Sequence, residues 1–285
     1  MTQNGPEPVG FIAGNHILPI LAAKKAKERG QKVLVVGISG ETDPELKELA
    51  DYYEEVSLGQ LKPLANFFLS HGCHTVSMAG SISRQNILSN YKPDEAAVQL
   101  MESLPNFLTD TILRSVAQWL EREGLKLVSV TDIVPELLVK PGQLGIHSPS
   151  NEILEDLILA FNLARELGRL DVGQTVVVCD KIAVALEGAE GTDETIRRGA
   201  SLCSKPISVA KVLKPIQDTR FDLPVIGPST IELLVEVAAG ALVLDAKGLI
   251  VLEEERCISL ANDAHIALLA WTEAPETRGT HGPGA

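Results

Sequence analysis

The chain has 285 residues, of which 45% are hydrophobic and 22% charged, so it can bury a full core and its length favours two domains over one. Its formal net charge of −13 repels nucleic acid and anionic lipid headgroups at long range, and an aromatic content of 4% excludes a base-stacking platform. No nucleic-acid partner is therefore expected, and any phosphate-bearing ligand must be met by local Lys, Arg, backbone amides or a metal ion.

Taken in chain order, the first eight residues are polar and lack the basic and apolar regions of a signal peptide, so a cytoplasmic protein is expected. Val9 to Gly14 reads as a short buried strand, Ile17 to Arg29 as a helix closed by Gly30, and Lys32 to Gly37 as a second strand with a continuous Val33-Leu34-Val35-Val36 run. Helices are predicted from Pro44 to Tyr52 and from Leu61 to Ser70, a strand from Thr75 to Ala79, and a longer helix from Leu108 to Glu123. A strand from Leu127 to Val130 and a short segment from Asp132 to Leu138 follow. Alternating strands and helices of this kind build a Rossmann-like parallel sheet, assigned to residues 9–139. Lys140-Pro141-Gly142-Gln143-Leu144-Gly145 reads as a linker loop.

A C-terminal α/β domain is assigned to residues 151–272. It begins with a helix from Asn151 to about Leu167, ended by Gly168, and continues with paired strands at Gln174–Cys179 and Ile182–Leu186. A helix from Asp193 to Leu202, capped by Thr192 or Asp193, precedes a strand at Ile207–Val212. A helix at Ser229–Ala239 and strands at Ala241–Leu244, Gly248–Leu252 and Ile266–Ala270 complete the series, and residues from Glu273 onward read as a tail. No apolar run reaches the roughly 18 residues of a membrane span. The four cysteines, Cys73, Cys179, Cys203 and Cys257, form no Cys-x-x-Cys pair and are expected as reduced, buried, inert thiols.

Three constellations carry chemistry. The densest runs from Lys211 to Thr230 and places two Lys, two Asp, an Arg and a Gln between a strand and a helix, with Pro215, Pro224 and Pro228 as punctuation. Asp218 and Asp222 are hard oxygen donors suited to Mg²⁺ or Mn²⁺, Lys214 and Arg220 can pair with phosphate oxygens, and Gln217 can donate to a ligand. The second is Glu187-Gly188-Ala189-Glu190-Gly191-Thr192-Asp193, where a strand turns into a helix. Glu190, Gly191 and Thr192 there are candidate ligand contacts, and Asp193 is a candidate third metal carboxylate. The third is a pair of glycine turns after predicted strands, Gly14-Asn15 and Gly80-Ser81-Ile82-Ser83-Arg84. They lack the Gly-x-Gly-x-x-Gly spacing, and no acidic residue stands in the Gly37-Ile38-Ser39-Gly40 stretch that ends the second strand, which weakens an NAD(P)-dependent oxidoreductase. The six histidines show no metal spacing, and neither a Gly-x-Ser-x-Gly elbow nor a Walker loop is present. A non-catalytic sugar-nucleotide-binding regulatory protein stays open on these residues alone.

Gly168-Arg169-Leu170-Asp171-Val172-Gly173-Gln174-Thr175, Glu190-Gly191-Thr192-Asp193 and Lys214-Pro215-Ile216-Gln217-Asp218-Thr219-Arg220-Phe221-Asp222-Leu223-Pro224-Val225-Ile226-Gly227 resemble the signature of the LpxI-type UDP-2,3-diacylglucosamine pyrophosphatases. The resemblance extends to Ile12-Ala13-Gly14, Leu18-Pro19 and Asp132 to Leu138. It departs at Asn15-His16, at Leu108-Thr109-Asp110 and at Arg84-Gln85. It implies Mg²⁺-dependent hydrolysis of UDP-2,3-diacylglucosamine to UMP and 2,3-diacylglucosamine 1-phosphate in lipid A synthesis, with water sent to the sugar-side phosphorus. Asp222, Asp218 and Arg220 are then the catalytic residues, with Asp222 the carboxylate that turnover depends on. Gly14, Asn15, Gly80, Ser81, Arg84, Lys214, Gln217, Glu190, Gly191 and Thr192 contact substrate, and Asp222, Asp218 and Asp193 hold the metal. The expected partner is the lipid-linked sugar nucleotide, collected by transient inner-membrane contact, and a homodimer is kept open as the assembly.

Overall fold

The computed structural model describes residues 7–275 apart from Ile216, and most of the expected polar leader and tail lies outside that range. The chain divides into two compact units, one running to Glu136 and including Thr219–Phe221, the other made of Leu137–Asp218 and the chain from Asp222 onward.

The first unit is built on five parallel strands. In chain order it runs β1 (Val9–Ala13), α1 (Leu18–Glu28), β2 (Val33–Ile38), α2 (Glu45–Leu49), β3 (Tyr52–Val56), α3 (Leu61–Ser70), β4 (Thr75–Ala79), α4 (Arg84–Ser89), α5 (Glu95–Glu102), α6 (Thr109–Arg122), β5 (Lys126–Leu127) and α7 (Val130–Ile133). The strands lie in the order β3-β2-β1-β4-β5, the Rossmann order, with every pairing parallel. β1 and β2 are buried at every position, as continuous apolar strands covered on both faces must be. Phe68 of α3, Leu120 of α6 and Val76 of β4 fill the core on one side, together with Leu34 and Val36.

Three predictions fail in this unit for identifiable reasons. The helix expected from Pro44 to Tyr52 stops at Leu49, and Tyr52–Val56 is the edge strand β3. Its Tyr-Tyr-Glu-Glu-Val sequence carries little apolar signal because an edge strand needs only backbone pairing, here Leu34 with Tyr52 through Ile38 with Val56. The strand expected at Leu127–Val130 is present only as the short β5, which ends at Leu127, and Val130 opens α7 because Ser129 and Asp132 form a reciprocal capping box at its start. The short helices α4 and α5, capped by Ser83 and Asp94, were not expected at all.

The second unit runs β6 (Gly142–Gln143), α8 (Asn151–Arg169), β7 (Thr175–Cys179), β8 (Ile182–Leu186), α9 (Thr192–Ser201), β9 (Ser208–Lys211), β10 (Val225–Ile226), α10 (Pro228–Glu236), β11 (Ala241–Asp245), β12 (Ile250–Val251), α11 (Glu254–Asp263) and β13 (Ala267–Trp271). Six strands form one mixed sheet in the order β6-β13-β11-β9-β7-β8, and β10 pairs with β12 in a separate two-stranded ribbon. β9, β11 and β13 are parallel, while β7 runs against both β8 and β9. The linker loop expected at 140–145 thus donates a strand to the sheet edge. Between β7 and β8, Asp180 and Lys181 take left-handed φ values of 54° and 64°, and the buried Asp156 carboxylate of α8 accepts both their amides at 3.0 and 2.7 Å.

Gly168 does not end α8. The helix continues to Arg169, and the missing side chain at 168 lets the Lys214 backbone approach, since a Cβ there would lie 3.4 Å from the Lys214 Cα. α9 has no side-chain cap: Gly191, at φ 84°, precedes it, and Thr192 is its first residue. The expectation of four reduced thiols is corrected at two of them. Cys179, at the end of β7, and Cys203, just after α9, have Cα atoms 6.5 Å apart and are joined by a disulfide. Cys73 and Cys257 are free, and burial pushes both thiols up to about 12.

α8 covers one face of the second sheet, with Leu157, Ala160, Phe161 and Ala164 set against Val176, Val178, Ala210 and Val243. Phe161 is fully buried and meets Trp271 edge-on at 5.6 Å. Phe161→Ala is expected to lower unfolding stability by about 3–5 kcal/mol, the cost of a large core cavity. Denaturant titration measures it, and a loss under about 1 kcal/mol would mean that α8 is not the keystone of this core.

Candidate active site

In the first unit the connections run to one side of β1 through β2 and to the other side through β4, so the crevice at the carboxyl ends of β1 and β4 is the topological switch point. Both glycine turns singled out in the sequence stand there. The amide of Asn15 donates to the Ser81 carbonyl at 2.9 Å, and the two residues form an isolated antiparallel bridge. Only glycines permit this approach. A Cβ on Gly14 would lie 2.3 Å from the Ser81 carbonyl oxygen, and one on Gly80, whose φ is 86°, would lie 2.3 Å from that of Asn15.

Glu41, which sequence reasoning passed over, ties these turns together. One carboxylate oxygen accepts from the Asn15 side-chain amide at 2.6 Å, and the other accepts from the Ser83 amide at 2.8 Å and the Ser83 hydroxyl at 2.5 Å. The Ser81 hydroxyl donates to the Asn15 side-chain carbonyl at 2.9 Å. Thr42 donates to the Ala13 carbonyl at 2.5 Å, and buried Asn86 donates to the Ser39 carbonyl at 2.7 Å while its own side-chain oxygen has no protein partner among the described residues. Burial pushes the Glu41 carboxyl up, but the Ser83 and Asn15 hydrogen bonds and the nearby His16 outweigh it and hold the group below its ordinary value. Arg84 is the first residue of α4. The sequence signal is an acidic residue one position past the end of the Gly37-Ile38-Ser39-Gly40 stretch.

In the second unit the carboxyl ends of β8 and β9 gather the other two motifs. Glu187, buried just past β8, accepts from the Gln174 amide at 2.9 Å and from the Thr192 hydroxyl at 3.0 Å. The Thr192 hydroxyl also lies 3.2 Å from that of Thr175. Glu190 turns back on its own motif, accepting from the Gly188 amide at 3.1 Å and from Arg198 of α9 at 2.5 Å. Its own backbone amide first, then Arg198 and the Gly188 amide, hold its carboxyl below the ordinary value. Gly191 and Thr192 are therefore placed at the α9 entrance with Glu187 beneath them, whereas Glu190 is committed to an ion pair.

The loop after β9 carries the remaining candidates. The Asp222 amide donates to the Asp218 carbonyl at 3.1 Å, so one turn of backbone brings both aspartates to the same bend. The Gln217 side-chain oxygen is buried without a protein partner among the described residues. Lys214 pairs with Asp171 at 2.8 Å. Arg220 belongs to the first unit by its contacts, pairing with Glu121 at 3.0 Å and lying 5.7 Å from the Phe221 ring centroid. Among the described residues no three His, Cys, Asp or Glu side chains converge as a metal site, so Asp193 is not gathered with Asp218 and Asp222 into a three-ligand cage. Two carboxylates on one turn still fit Mg²⁺, which is commonly held by one or two carboxylates with substrate phosphates filling the other positions.

Two α/β units, the first in Rossmann order with its polar residues at the strand ends, define a ligand-binding α/β protein. The chain belongs to the LpxI family: residues 8–137 match the LpxI N-terminal domain and residues 140–269 the LpxI C-terminal domain. It is 33% identical over 274 residues to the UDP-2,3-diacylglucosamine pyrophosphatase LpxI of Caulobacter vibrioides, covering 92% of this chain and 96% of that one. Among solved structures, N5-carboxyaminoimidazole synthetase from Staphylococcus aureus complexed with ADP is 14% identical, with a TM-score of 0.28 over 60% of this chain and 32% of that one. An N5-carboxyaminoimidazole ribonucleotide synthetase in its ADP complex is 16% identical, with a TM-score of 0.28 over 70% and 36%. Likeness at that score assigns neither fold nor ligand.

The Glu41 clamp has a testable pH signature. A carboxylate whose folded pKa lies below its ordinary value of 4.5 contributes stability that is complete above that value and is lost as pH falls through the folded pKa. Glu41→Gln keeps the size and removes the charge. Melting temperatures of wild type and variant are expected to differ most near neutrality and to converge as pH falls well below the ordinary carboxylate value. A gap that stayed constant over that range would remove the charge from the account.

Proposed function

We propose that this protein hydrolyses the pyrophosphate bond of UDP-2,3-diacylglucosamine to UMP and 2,3-diacylglucosamine 1-phosphate, a step of lipid A synthesis. The observation that carries the reading is the match of both halves to the LpxI family together with the 33% identity to a relative of that name over 92% of the chain. Water oxygen attacks the sugar-side phosphorus. A phosphorus–oxygen bond forms, the bond to the bridging oxygen breaks, and UMP leaves with that oxygen. The proton lost by water passes to the carboxylate that orients it, assigned to Asp222.

The transferring phosphorus builds charge on its oxygens, and stabilising that charge is the main work of the site. Lys214 and Arg220 are the cations assigned to it. Each is held by a partly exposed carboxylate, Asp171 or Glu121. Solvent weakens such partly exposed pairs, so a pyrophosphate can compete with the carboxylates for the cations. Gln217, whose buried oxygen has no partner among the described residues, and the Gly191-Thr192 entrance to α9 are the further contacts assigned in the second unit. Gly14, Asn15, Gly80, Ser81 and Arg84 are those assigned in the first, where Glu41 keeps the two glycine turns in register. Mg²⁺ or Mn²⁺, when bound, would neutralise phosphoryl charge, with Asp218 and Asp222 as the carboxylates that would hold it and substrate phosphates filling other positions.

Among the described residues no helix is long and apolar enough to cross a membrane. The reading therefore has the protein meet its lipid substrate at the inner-membrane surface from the cytoplasm, with a homodimer as the assembly to be tested.

Asp222→Ala is expected to reduce turnover about 10²–10⁴-fold or more while leaving the melting temperature within a few degrees of wild type. Initial rates on UDP-2,3-diacylglucosamine and thermal melts of the same preparation check it. A variant that melts several degrees lower yet turns over normally would make Asp222 a structural residue. Removal of divalent ions by a chelator is expected to abolish UMP release, and added Mg²⁺ or Mn²⁺ to restore it. Full activity in chelator would sink the metal-assisted reaction and leave the hydrolytic one standing.

A further inference from the structure

Lys211 stands where an apolar residue would be expected. It is the last residue of β9, whose four positions are all buried, in the interior of the six-stranded sheet between β7 and β11. The side chain is 7% exposed. Burying an ammonium costs several kcal/mol, and a well-packed hydrophobic residue of similar volume is often neutral or stabilising in its place. Stability alone therefore does not account for a lysine here.

Its contacts account for it. The ammonium donates to the Val225 carbonyl at 3.1 Å. Val225 is the first residue of β10, and the segment between the two residues carries Lys214, Asp218, Arg220 and Asp222. Each foot of that loop is pinned once more by backbone: the Val212 amide donates to the Gln174 carbonyl at 2.9 Å, and the Ile250 amide donates to the Pro224 carbonyl at 3.0 Å. Lys211 alone among these contacts joins one foot directly to the other. Burial holds its pKa below the ordinary value, and the negative charges of Glu187 and Asp193 oppose that shift only in part.

We propose that Lys211 is a positioning residue for the hydrolysis, clamping the base of the Lys214–Asp222 loop through the Val225 carbonyl so that the loop's carboxylates and cations are held in one arrangement. The proposal rests on the activity assigned above. A single clamp is economical because a loop of this length is otherwise free to redistribute its charged groups, and a displacement of about 1 Å at a reacting group can cost 10²-fold in rate.

The test compares wild type, Lys211→Met and Lys211→Arg by four readouts: kcat and KM on UDP-2,3-diacylglucosamine, melting temperature, and amide hydrogen exchange over residues 212–224. Lys211→Met is expected to melt at or above the wild-type temperature, to lose kcat about 10- to 100-fold with KM changed little, and to exchange loop amides faster. Lys211→Arg, which keeps charge and donors, is expected to recover part of both losses. A Lys211→Met protein with wild-type kcat and unchanged loop exchange overturns the proposal. So does one that melts several degrees lower with kcat intact, because the lysine is then structural. Lys211→Gln, shorter and uncharged, is judged by the same readouts should the Met variant not fold, and failure of both to fold likewise assigns a structural role. If the wild type itself does not cleave the substrate, the assigned activity fails, and loop exchange alone then decides whether Lys211 is the clamp.

Discussion

A strand buried on both faces has no side chain free to meet a ligand until the strand ends. β1, β2, β7 and β11 are buried at every position, so polar chemistry in this protein is confined to strand termini and the loops that leave them. The consequence is visible in both units. Asn15, Glu41 and Ser83 follow β1, β2 and β4, and Glu187, Lys211 and Asp245 end or follow β8, β9 and β11. Each of these groups is tied by hydrogen bonds or an ion pair rather than left to solvent, because a half-buried polar atom without a partner costs about as much as a hydrogen bond is worth. The catalytic assignment inherits this constraint. Asp218 and Asp222 can serve only as far as the loop carrying them is held, and its ends are fixed by the sheet and the small ribbon rather than by its own secondary structure.

How much of this was legible in the sequence follows from the same constraint. Continuous apolar runs such as Val33-Leu34-Val35-Val36 announce buried parallel strands, and the Rossmann-like first half was read from them. Amphipathic helices long enough to show their period, α3, α6 and α8, were read nearly to the residue. Elements held by backbone pairing or local caps alone were not: Tyr52–Val56 is an edge strand without alternation, Gly142–Gln143 adds two residues to a sheet edge, and α7 depends on a capping box. The glycines were read as turns on spacing, but their reason is long-range. Gly14 and Gly80 are required by each other's turn 66 positions apart in the chain, a relation expressed in space and not in local pattern. Glu41 went unread for the same reason. Its partners Asn15 and Ser83 lie 26 and 42 residues away.

The charge balance takes the argument one step further. A protein of net charge −13 that is to hold a pyrophosphate must keep cations at the right places without letting them collapse onto the nearest acid irreversibly. Two solutions coexist. Lys214 and Arg220 sit in partly exposed pairs with Asp171 and Glu121, where solvent weakens each pair. Lys211 is the opposite case. Its ammonium is buried, its bond is to a neutral carbonyl, and the nearest negative charges, Glu187 and Asp193, act on it at a distance. An exposed pair can change partners during a reaction cycle, whereas a buried ammonium on a carbonyl cannot do so without a large desolvated cost. The exposed cations are thus suited to meeting a ligand, and the buried one to fixing the backbone of the loop that carries Asp218 and Asp222. In an acidic chain that division of labour lets positive charge be both available and located.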